Sequence, residues 1–161
     1  MLAVMRRMRI LISFGITYAL AFPMGCNASE AFLTTLYRAH PEIRWEKSSV
    51  ITSDFNGDKI MDSAALGYKG KQIIIGVSMG HKKNTKVQLL PFSIGAEIQE
   101  AICALPATLE AEPLECTAED SPLPGCKQLT AAKGLFLSGG ECDPIHLYWN
   151  HITKQMEWWR L

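Results

Sequence analysis

Residues 72–79 read QIIIGVSM, and this stretch decides the fold because it is the most strand-like segment of the chain. Its β-branched side chains run almost without interruption, which is typical of a strand buried on both faces. We therefore predict a central β-strand here. A central strand needs a partner on each side, so the flanking segments should also supply strands.

Shorter strand-like segments lie on both sides of the central one. We predict strands over 48–52, 62–68, 87–92 and 134–138, and a hairpin in which 145–149 and 156–161 flank the polar residues 150–155. Turns are predicted at 67–70 and 82–86. Residues 106–126 are rich in proline and acids, and we interpret them as a long loop that disulfides would need to hold.

Apolar residues recur at helical spacing in two places, which predicts two helices. The first covers 29–38, with Ser29 as its N-cap and Pro41 ending it, and the second covers 95–105. The apolar stripes are Phe32, Leu33, Leu36 and Tyr37 in the first helix and Ile98, Ile102 and Leu105 in the second. No internal repeat is present, so we expect one disulfide-stapled α+β domain: a mainly antiparallel β-sheet with an N-terminal helix lying on it.

The N-terminus has the pattern of a secretory signal peptide. Basic residues in 1–9 precede an apolar run over 10–22, and Pro23 and small residues follow. The run is shorter than the roughly 20 apolar residues that span a bilayer. We expect a signal peptide over 1–28, cut after Ala28, and an exported domain over 29–161. An uncleaved anchor, or lipidation at Cys26 as in bacterial lipoproteins, is the alternative.

The cysteine count also favours export. Removal or lipidation of Cys26 leaves four cysteines, an even set that indicates two disulfides in a small exported domain. Three pairings are open; Cys116 and Cys126 could close a local loop, which would leave Cys103 and Cys142 as a long-range pair. Four free thiols fit an oxidising compartment less well, and no C-x2-C pair indicates zinc.

The charge pattern bears on the class of partner. The chain has 16 basic and 16 acidic residues, and removal of Arg6, Arg7 and Arg9 leaves the mature domain near −3. No basic face indicates nucleic acid. The stretch 110–120, EAEPLECTAED, has five acids and no base. A solvated loop is its ordinary interpretation, and a docking patch for a basic partner is the alternative.

A polar segment over 54–62, DFNGDKIMD, joins two predicted strands. Calcium takes six to eight oxygen ligands, and a tight loop can aim every second side chain at one point. The candidate ligands are the side chains of Asp54, Asn56, Asp58 and Asp62 and the backbone carbonyl of Ile60. The alternative is an Asx-rich turn that holds no ion.

This segment, with Ser63 and Ala64 after it, resembles the calcium loop of FG-GAP/VCBS-type repeat segments, whose pattern is roughly D-x-N-G-D-G-x-x-D-L. The resemblance covers about a dozen residues in one copy, and it implies a structural calcium site between two strands of a β-rich extracytoplasmic domain. Lys59 stands where the family has glycine. If this position requires a positive φ, lysine costs about 1–2 kcal/mol there.

The C-terminal hairpin carries most of the tryptophan. Trp158 and Trp159 are adjacent, so in a strand they face opposite sides, and we expect one in the core and the other on a binding surface. Strand alternation places Ile145, Leu147 and Trp149 on one face and His146 and Tyr148 on the other. Asp143, His146, His151 and Glu157 could suggest acid–base chemistry, but a surface histidine on a hairpin is the simpler interpretation.

Together these features predict a non-enzymatic, exported, calcium-binding domain that binds a protein or glycan in the periplasm or outside the cell. They predict no nucleic-acid partner and no membrane span after signal removal. Two alternatives stay open. One is an inhibitor or immunity-type protein that blocks a periplasmic enzyme. The other is a small hydrolase that uses Asp143, His146 or the acids of the loop.

Overall fold

The computed structural model describes residues 28–80, 86–95 and 97–161. The predicted signal peptide up to residue 27, Cys26 within it and residues 82–85 of a predicted turn lie outside the described residues. The described elements are helix α1 (Ala28–Ala39), a 3-10 turn (Lys47–Ser49) and the strands β1 (Arg44–Trp45), β2 (Ile51–Ser53), β3 (Asp62–Lys69), β4 (Gln72–Ser78), β5 (Gln88–Ile94), β6 (Ala101–Ile102), β7 (Thr108–Pro113), β8 (Thr117–Ala118), β9 (Ser121–Pro122), β10 (Lys133–Ser138), β11 (Ile145–Asn150) and β12 (Gln155–Trp159).

The strands form two main sheets. The first has the order β1-β3-β4-β5-β6, with β2 also paired to β3, and the second has the order β12-β11-β10-β7. Every strand pair is antiparallel except β5 with β6. The predicted central strand is β4, which lies between β3 and β5. The α+β class, mainly antiparallel and with an N-terminal helix, is confirmed.

The main core lies where the inner faces of the two sheets meet. Alternate residues of each strand point into it, as the pleat of a strand requires. The first sheet contributes Leu66, Ile73, Ile75, Val77 and Phe92 among others, and the second contributes Leu135, Leu137, Ile145, Leu147 and Met156. The predicted alternation along β11 is confirmed, since Ile145, Leu147 and Trp149 belong to this core.

Helix α1 covers the outer face of the first sheet. Its buried residues Phe32 and Leu36 pack with Trp45, which is only 3% exposed. The indole lies where two strands have glycine: a Cβ on Gly67 would come within 2.7 Å of the Trp45 ring, and one on Gly76 within 2.9 Å. Gly67, predicted to be in a turn, therefore belongs to β3, where its missing side chain makes room for the indole.

The outer face of the second sheet is covered only in part. Segment 114–132 packs on it through a small cluster built around Leu114, Ala132 and Tyr148. The Tyr148 hydroxyl donates to the Pro124 carbonyl at 3.2 Å, and the His151 amide donates to the Gly125 carbonyl at 2.8 Å. These contacts fix the segment to the β11–β12 hairpin.

The two disulfides correspond to one of the three pairings that the sequence left open. Cys116 and Cys126 close a local loop with a Cα–Cα distance of 5.4 Å, and Cys103 and Cys142 lie 5.5 Å apart across 39 residues of sequence. Two disulfides in a small domain indicate an oxidising, extracytoplasmic environment. No helix in the described part of the chain is long and apolar enough to cross a membrane.

The predicted strand over 48–52 is only partly right. A 3-10 turn occupies Lys47–Ser49, and the strand β2 follows it. The carboxylate of Glu46 accepts from the Ser48 hydroxyl at 2.8 Å, and the Ser49 hydroxyl donates to the Glu46 carbonyl at 2.7 Å. Serines that bond locally in this way compete with strand pairing.

The predicted helix over 95–105 is wrong, because its described residues form turns and the short strand β6. Ile102 enters the main core, while Ile98 and Leu105 are about half exposed at 51% and 52%. The segment pairs with β5 instead, and the Gly95 amide donates to the Ile102 carbonyl at 2.8 Å. The three apolar residues at helical spacing therefore do not share one buried face, because only Ile102 is buried.

The predicted long loop over 106–126 is also wrong in part. Its first half contains β7, which pairs with β10 along six residues and completes the second sheet. Leu109 is buried in the main core, while Glu110 and Glu112 point to the opposite face. The many acids and prolines hid this strand, since only one of its faces is apolar.

The opposite edge of the second sheet is strand β12, and a side chain pairs with it. The Gln88 amide nitrogen donates to the Met156 carbonyl at 2.7 Å, and the Met156 amide donates to the Gln88 side-chain oxygen at 2.8 Å. Further along, Arg160 Nη1 donates to the Ala101 carbonyl at 2.7 Å. These bonds join β12 to the first sheet.

Candidate functional sites

The polar loop occupies 54–61, between the end of β2 and the start of β3. Asp54 organises its first half, because both of its carboxylate oxygens accept from backbone amides. Oδ1 accepts from Gly57 at 2.7 Å, and Oδ2 accepts from Lys59 at 2.8 Å. Asp54 is 8% exposed, so these bonds replace most of its contact with water.

Asn56 and Asp58 continue the same pattern. The Asn56 side-chain oxygen accepts from the Asp58 amide at 2.8 Å, and Asp58 Oδ1 accepts from the Ile60 amide at 2.8 Å. The Asn56 amide nitrogen donates to Asp58 Oδ2 at 3.2 Å, which brings the two side chains together. The alternating side chains therefore bond to backbone amides of the loop itself, which is the pattern of the Asx-rich turn named as the alternative, and Asp58 is exposed. The Ile60 side chain itself is 44% exposed.

Asp62 lies at the first residue of β3 and is completely buried. Its carboxylate accepts from the amides of Phe55 and Gly80, both at 2.8 Å. Burial raises the pKa of Asp62, the two amides oppose that rise, and the negative charges of Asp58 and Asp54 add to it. The three carboxylates are thus close enough to repel one another.

The backbone of the loop needs two residues in the left-handed region. Gly57 has φ 77° and Lys59 has φ 68°. The positive φ at Lys59 meets the condition under which lysine in place of glycine costs about 1–2 kcal/mol. A Cβ on Gly57 would collide with Leu129 of segment 114–132, and the Lys133 amide donates to the Asp54 carbonyl at 2.9 Å. The loop is therefore packed against the polypeptide that covers the second sheet.

One apolar residue in this polar loop was missed by the sequence reasoning. Phe55 lies between two inward-pointing polar residues, yet it is fully buried in the main core. It anchors the loop to the space between the sheets, and its amide donates to Asp62. A lone aromatic residue among polar neighbours was the available signal.

The loop fits calcium by donor type. Its inward-facing groups are carboxylate and amide oxygens, which hard cations prefer, and an oxygen that accepts one N–H bond keeps a second lone pair. Within residues 28–80, 86–95 and 97–161, no group of three or more His, Cys, Asp or Glu side chains is arranged to hold a metal ion. The loop is held together by its own amide donors, so its shape does not depend on an ion alone.

The two adjacent tryptophans face opposite sides, as predicted. Trp158 packs against the main core and meets Phe92 edge to face, with ring centroids 6.0 Å apart. It also lines a groove of about 390 Å³ between β5 and β12. Trp159 lies on the outer face of the second sheet and stacks on His146, with centroids 4.3 Å apart and planes 14° from parallel.

His146 is the centre of a group that the sequence reasoning did not assemble. Its Nδ1 lies 2.9 Å from Glu112 Oε1, and Phe136 meets its ring edge to face at 5.6 Å. We call the set Glu110, Glu112, Phe136, His146 and Trp159 the aromatic–acidic patch. Burial raises the pKa of Glu112, and the hydrogen bond to His146 opposes that rise. The patch was missed because β7, which carries both glutamates, was interpreted as loop.

The residues considered for acid–base chemistry have separate partners. His146 pairs with Glu112, whereas Glu157 accepts from the Thr153 hydroxyl at 2.8 Å and shares the single Tyr148 hydroxyl proton, at 3.1 Å, with the Pro124 carbonyl. His151 lies in the turn between β11 and β12, where burial, Lys127 and Lys154 lower its pKa. Asp143 is exposed in the segment before β11. His146 and Glu157 are thus held by different partners.

Comparison of the chain with protein-family models, curated proteins and solved structures finds no significant match.

Proposed function

We propose that this chain is an exported domain, stabilised by calcium, that binds another macromolecule in the periplasm or outside the cell. The observation that carries the proposal is the outer face of the second sheet. There, Phe136 and Trp159 keep part of their surface exposed, although the opposite face of the same sheet is filled by the main core. Partly exposed aromatic residues on the outer face of a sheet are typical of binding surfaces.

Export is the first part of the proposal. The two disulfides favour an oxidising compartment, and the N-terminal basic and apolar segments favour a cleaved signal peptide. The alternative destination is the membrane surface, with a lipid on Cys26. Mass spectrometry of the mature protein tests both, because a cut after Ala28 leaves residues 29–161 whereas lipidation leaves a modified Cys26 at the new N-terminus.

Calcium is the second part. The ligands would be the side chains of Asp54, Asn56, Asp58 and Asp62 and the Ile60 carbonyl. Burial raises the pKa of Asp62, the charges of Asp58 and Asp54 add to that rise, and the positive charge of the ion would oppose both effects. The hydrogen bonds that support this arrangement run from the amides of Gly57 and Lys59 to Asp54 and from the Asn56 side chain to Asp58.

Thermal unfolding with calcium and with chelator tests this part. Weak extracellular sites have dissociation constants of about 10⁻⁴–10⁻³ M. Calcium at about ten times that value adds about 1.4 kcal/mol, which for a domain of this size raises the melting temperature by about 5 °C. Asp58→Ala should abolish the difference. Lys59→Gly should retain it, because glycine tolerates the positive φ. Identical curves for the wild-type protein in calcium and chelator would refute the calcium site.

Affinity capture tests the binding function. The mature domain, with both disulfides formed, is immobilised and exposed to periplasmic extract containing calcium, alongside a Trp159→Ala variant. A specific partner retained by wild type and lost from the variant supports the proposal. If the partner is an enzyme whose activity falls on binding, the inhibitor alternative takes its place. Absence of any partner that distinguishes the folded domain from an unrelated disulfide-bonded protein would count against a binding module.

A further inference from the structure

We propose that the aromatic–acidic patch is a docking site for an arginine-bearing segment of a protein partner. This inference rests on the proposed binding function and names the chemistry that the binding face selects. Three features of the patch carry it: the sign of its charges, the arrangement of its rings and the exposure of its carboxylates.

The charge of the face is one-sided. Strand register assigns to the outer face Glu110 and Glu112 of β7 and Glu157 of β12, and none of the outward positions of these four strands carries lysine or arginine. Glu157 is engaged by hydroxyl donors, whereas Glu110 is exposed and within the described residues has no ion-pair or hydrogen-bond partner. A cationic partner therefore meets complementary charge here.

The rings of Phe136, His146 and Trp159 lie beside the Glu110 and Glu112 carboxylates on the same sheet face. Trp159 stacks on one face of the His146 imidazole, Phe136 stands edge-on to it, and Glu112 binds its Nδ1. A guanidinium group can lie over an aromatic ring and at the same time bond a carboxylate through its planar N–H fork. Lysine offers a point charge without that plane, so arginine fits this combination better.

The carboxylate nearest the rings is partly withdrawn from water. The Glu112 side chain is 21% exposed and the His146 side chain 16% exposed. Burial makes the ionised form of Glu112 less favourable, and an incoming cation would offset that cost. A charge-assisted hydrogen bond at such a site is stronger than one formed in open solvent.

The test is an NMR titration of the protein, purified with both disulfides formed, with the peptide Gly-Ser-Arg-Gly-Arg-Ser-Gly. The comparison peptide carries citrulline, a neutral isostere, at both arginine positions. We expect saturable shifts for the amides of Phe136 and His146 and for the Trp159 indole with the arginine peptide, and none with the citrulline peptide. Matched single-charge variants then separate a site from general attraction: Glu112→Gln should weaken binding about fivefold, and Glu119→Gln, in the exposed β8–β9 turn, less than about twofold.

Several results would overturn the assignment. These are the absence of saturable shifts, equal binding of the citrulline peptide, or equal weakening by Glu112→Gln and Glu119→Gln. The last result would mean general attraction to an acidic protein. A captured partner that binds Glu112→Gln as tightly as wild type would also overturn it while leaving the binding function intact. Failure of capture despite saturable peptide binding would instead count against the broader function.

Discussion

The two outer faces of the sandwich differ in how completely they are covered. On the first sheet, α1 packs over Trp45, whose ring fits against two glycines and is 3% exposed. On the second sheet, segment 114–132 covers Tyr148, and Trp159 packs against the same cluster but stays partly exposed. Both faces carry a tryptophan beside a sheet with a filled inner side. The difference shows that a tryptophan on the first outer face is fully packed, whereas one on the second outer face keeps part of its surface in contact with solvent.

The largest expected difference between the two faces is the loss of stability when Trp45 or Trp159 is replaced by alanine. Trp45→Ala leaves a large cavity under α1 and should lower the free energy of unfolding by about 3–5 kcal/mol. Trp159→Ala removes a partly exposed ring stacked on His146 and should cost about 1 kcal/mol. Urea denaturation of both variants measures the two values. Equal costs would contradict the contrast.

Removal of the disulfide in segment 114–132 tests whether the cover of the second sheet is independent of the first sheet. Replacement of both Cys116 and Cys126 by alanine releases the local loop and should cost about 3 kcal/mol by the loop-entropy model. NMR shifts should concentrate in 114–132 and around Tyr148, which donates to Pro124 inside that loop. Helix α1 provides the internal control, because it lies on the opposite outer face. Shifts of similar size throughout α1 would show that the two faces are not independent.

A smaller, pH-dependent effect concerns Glu157 on the partly covered face. Hydrogen bonds from the side chains of Asn150, Thr153 and Tyr148 lower its pKa, against a weaker opposing effect of burial. Because the folded pKa lies below the unfolded value of about 4.3, this stabilisation is present above pH 4.3 and is lost as pH falls through the folded pKa.

Glu157→Gln should therefore lower the free energy of unfolding by about 0.5–1 kcal/mol at neutral pH, a small value because the carboxylate keeps contact with solvent. The difference from wild type should disappear near pH 2–3. Urea denaturation at several pH values measures it. A deficit that is independent of pH would mean that the hydrogen bonds do not depend on the ionised carboxylate.

Local patterns in the sequence predicted the second sheet's hairpin and the centre of the first sheet. Continuous β-branched residues identified β4, and alternation placed Ile145 inward and His146 outward. The same logic failed where a strand has one apolar face and many acids, as in β7. The helix predicted over 95–105 was wrong for a different reason. Ile98 and Ile102 have helical spacing, but pairing of this segment with β5 decides which of its residues are buried, and spacing alone does not reveal that pairing.

The polar loop was predictable in its local geometry. The alternation of Asp54, Asn56 and Asp58 predicted side-chain oxygens that organise the loop, and these oxygens accept from its backbone amides. The lysine in place of glycine at 59 pointed to a position where a positive φ would be costly, and φ is 68° there. Its surroundings were not predictable. The contact of Gly57 with Leu129 and the bond from Gly80 to Asp62 join residues far apart in sequence, so no local pattern encodes them.

The pairing of the Gln88 side chain with Met156 has a consequence for the behaviour of the protein at high concentration. An unpaired edge strand is a template on which a foreign strand can add, which leads to aggregation or strand exchange. Here an amide side chain occupies the donor and acceptor of Met156, and Arg160 ties the end of the same edge to Ala101. At the β12 edge, these bonds occupy backbone groups that a foreign strand would need, so we expect this edge to resist strand addition between molecules.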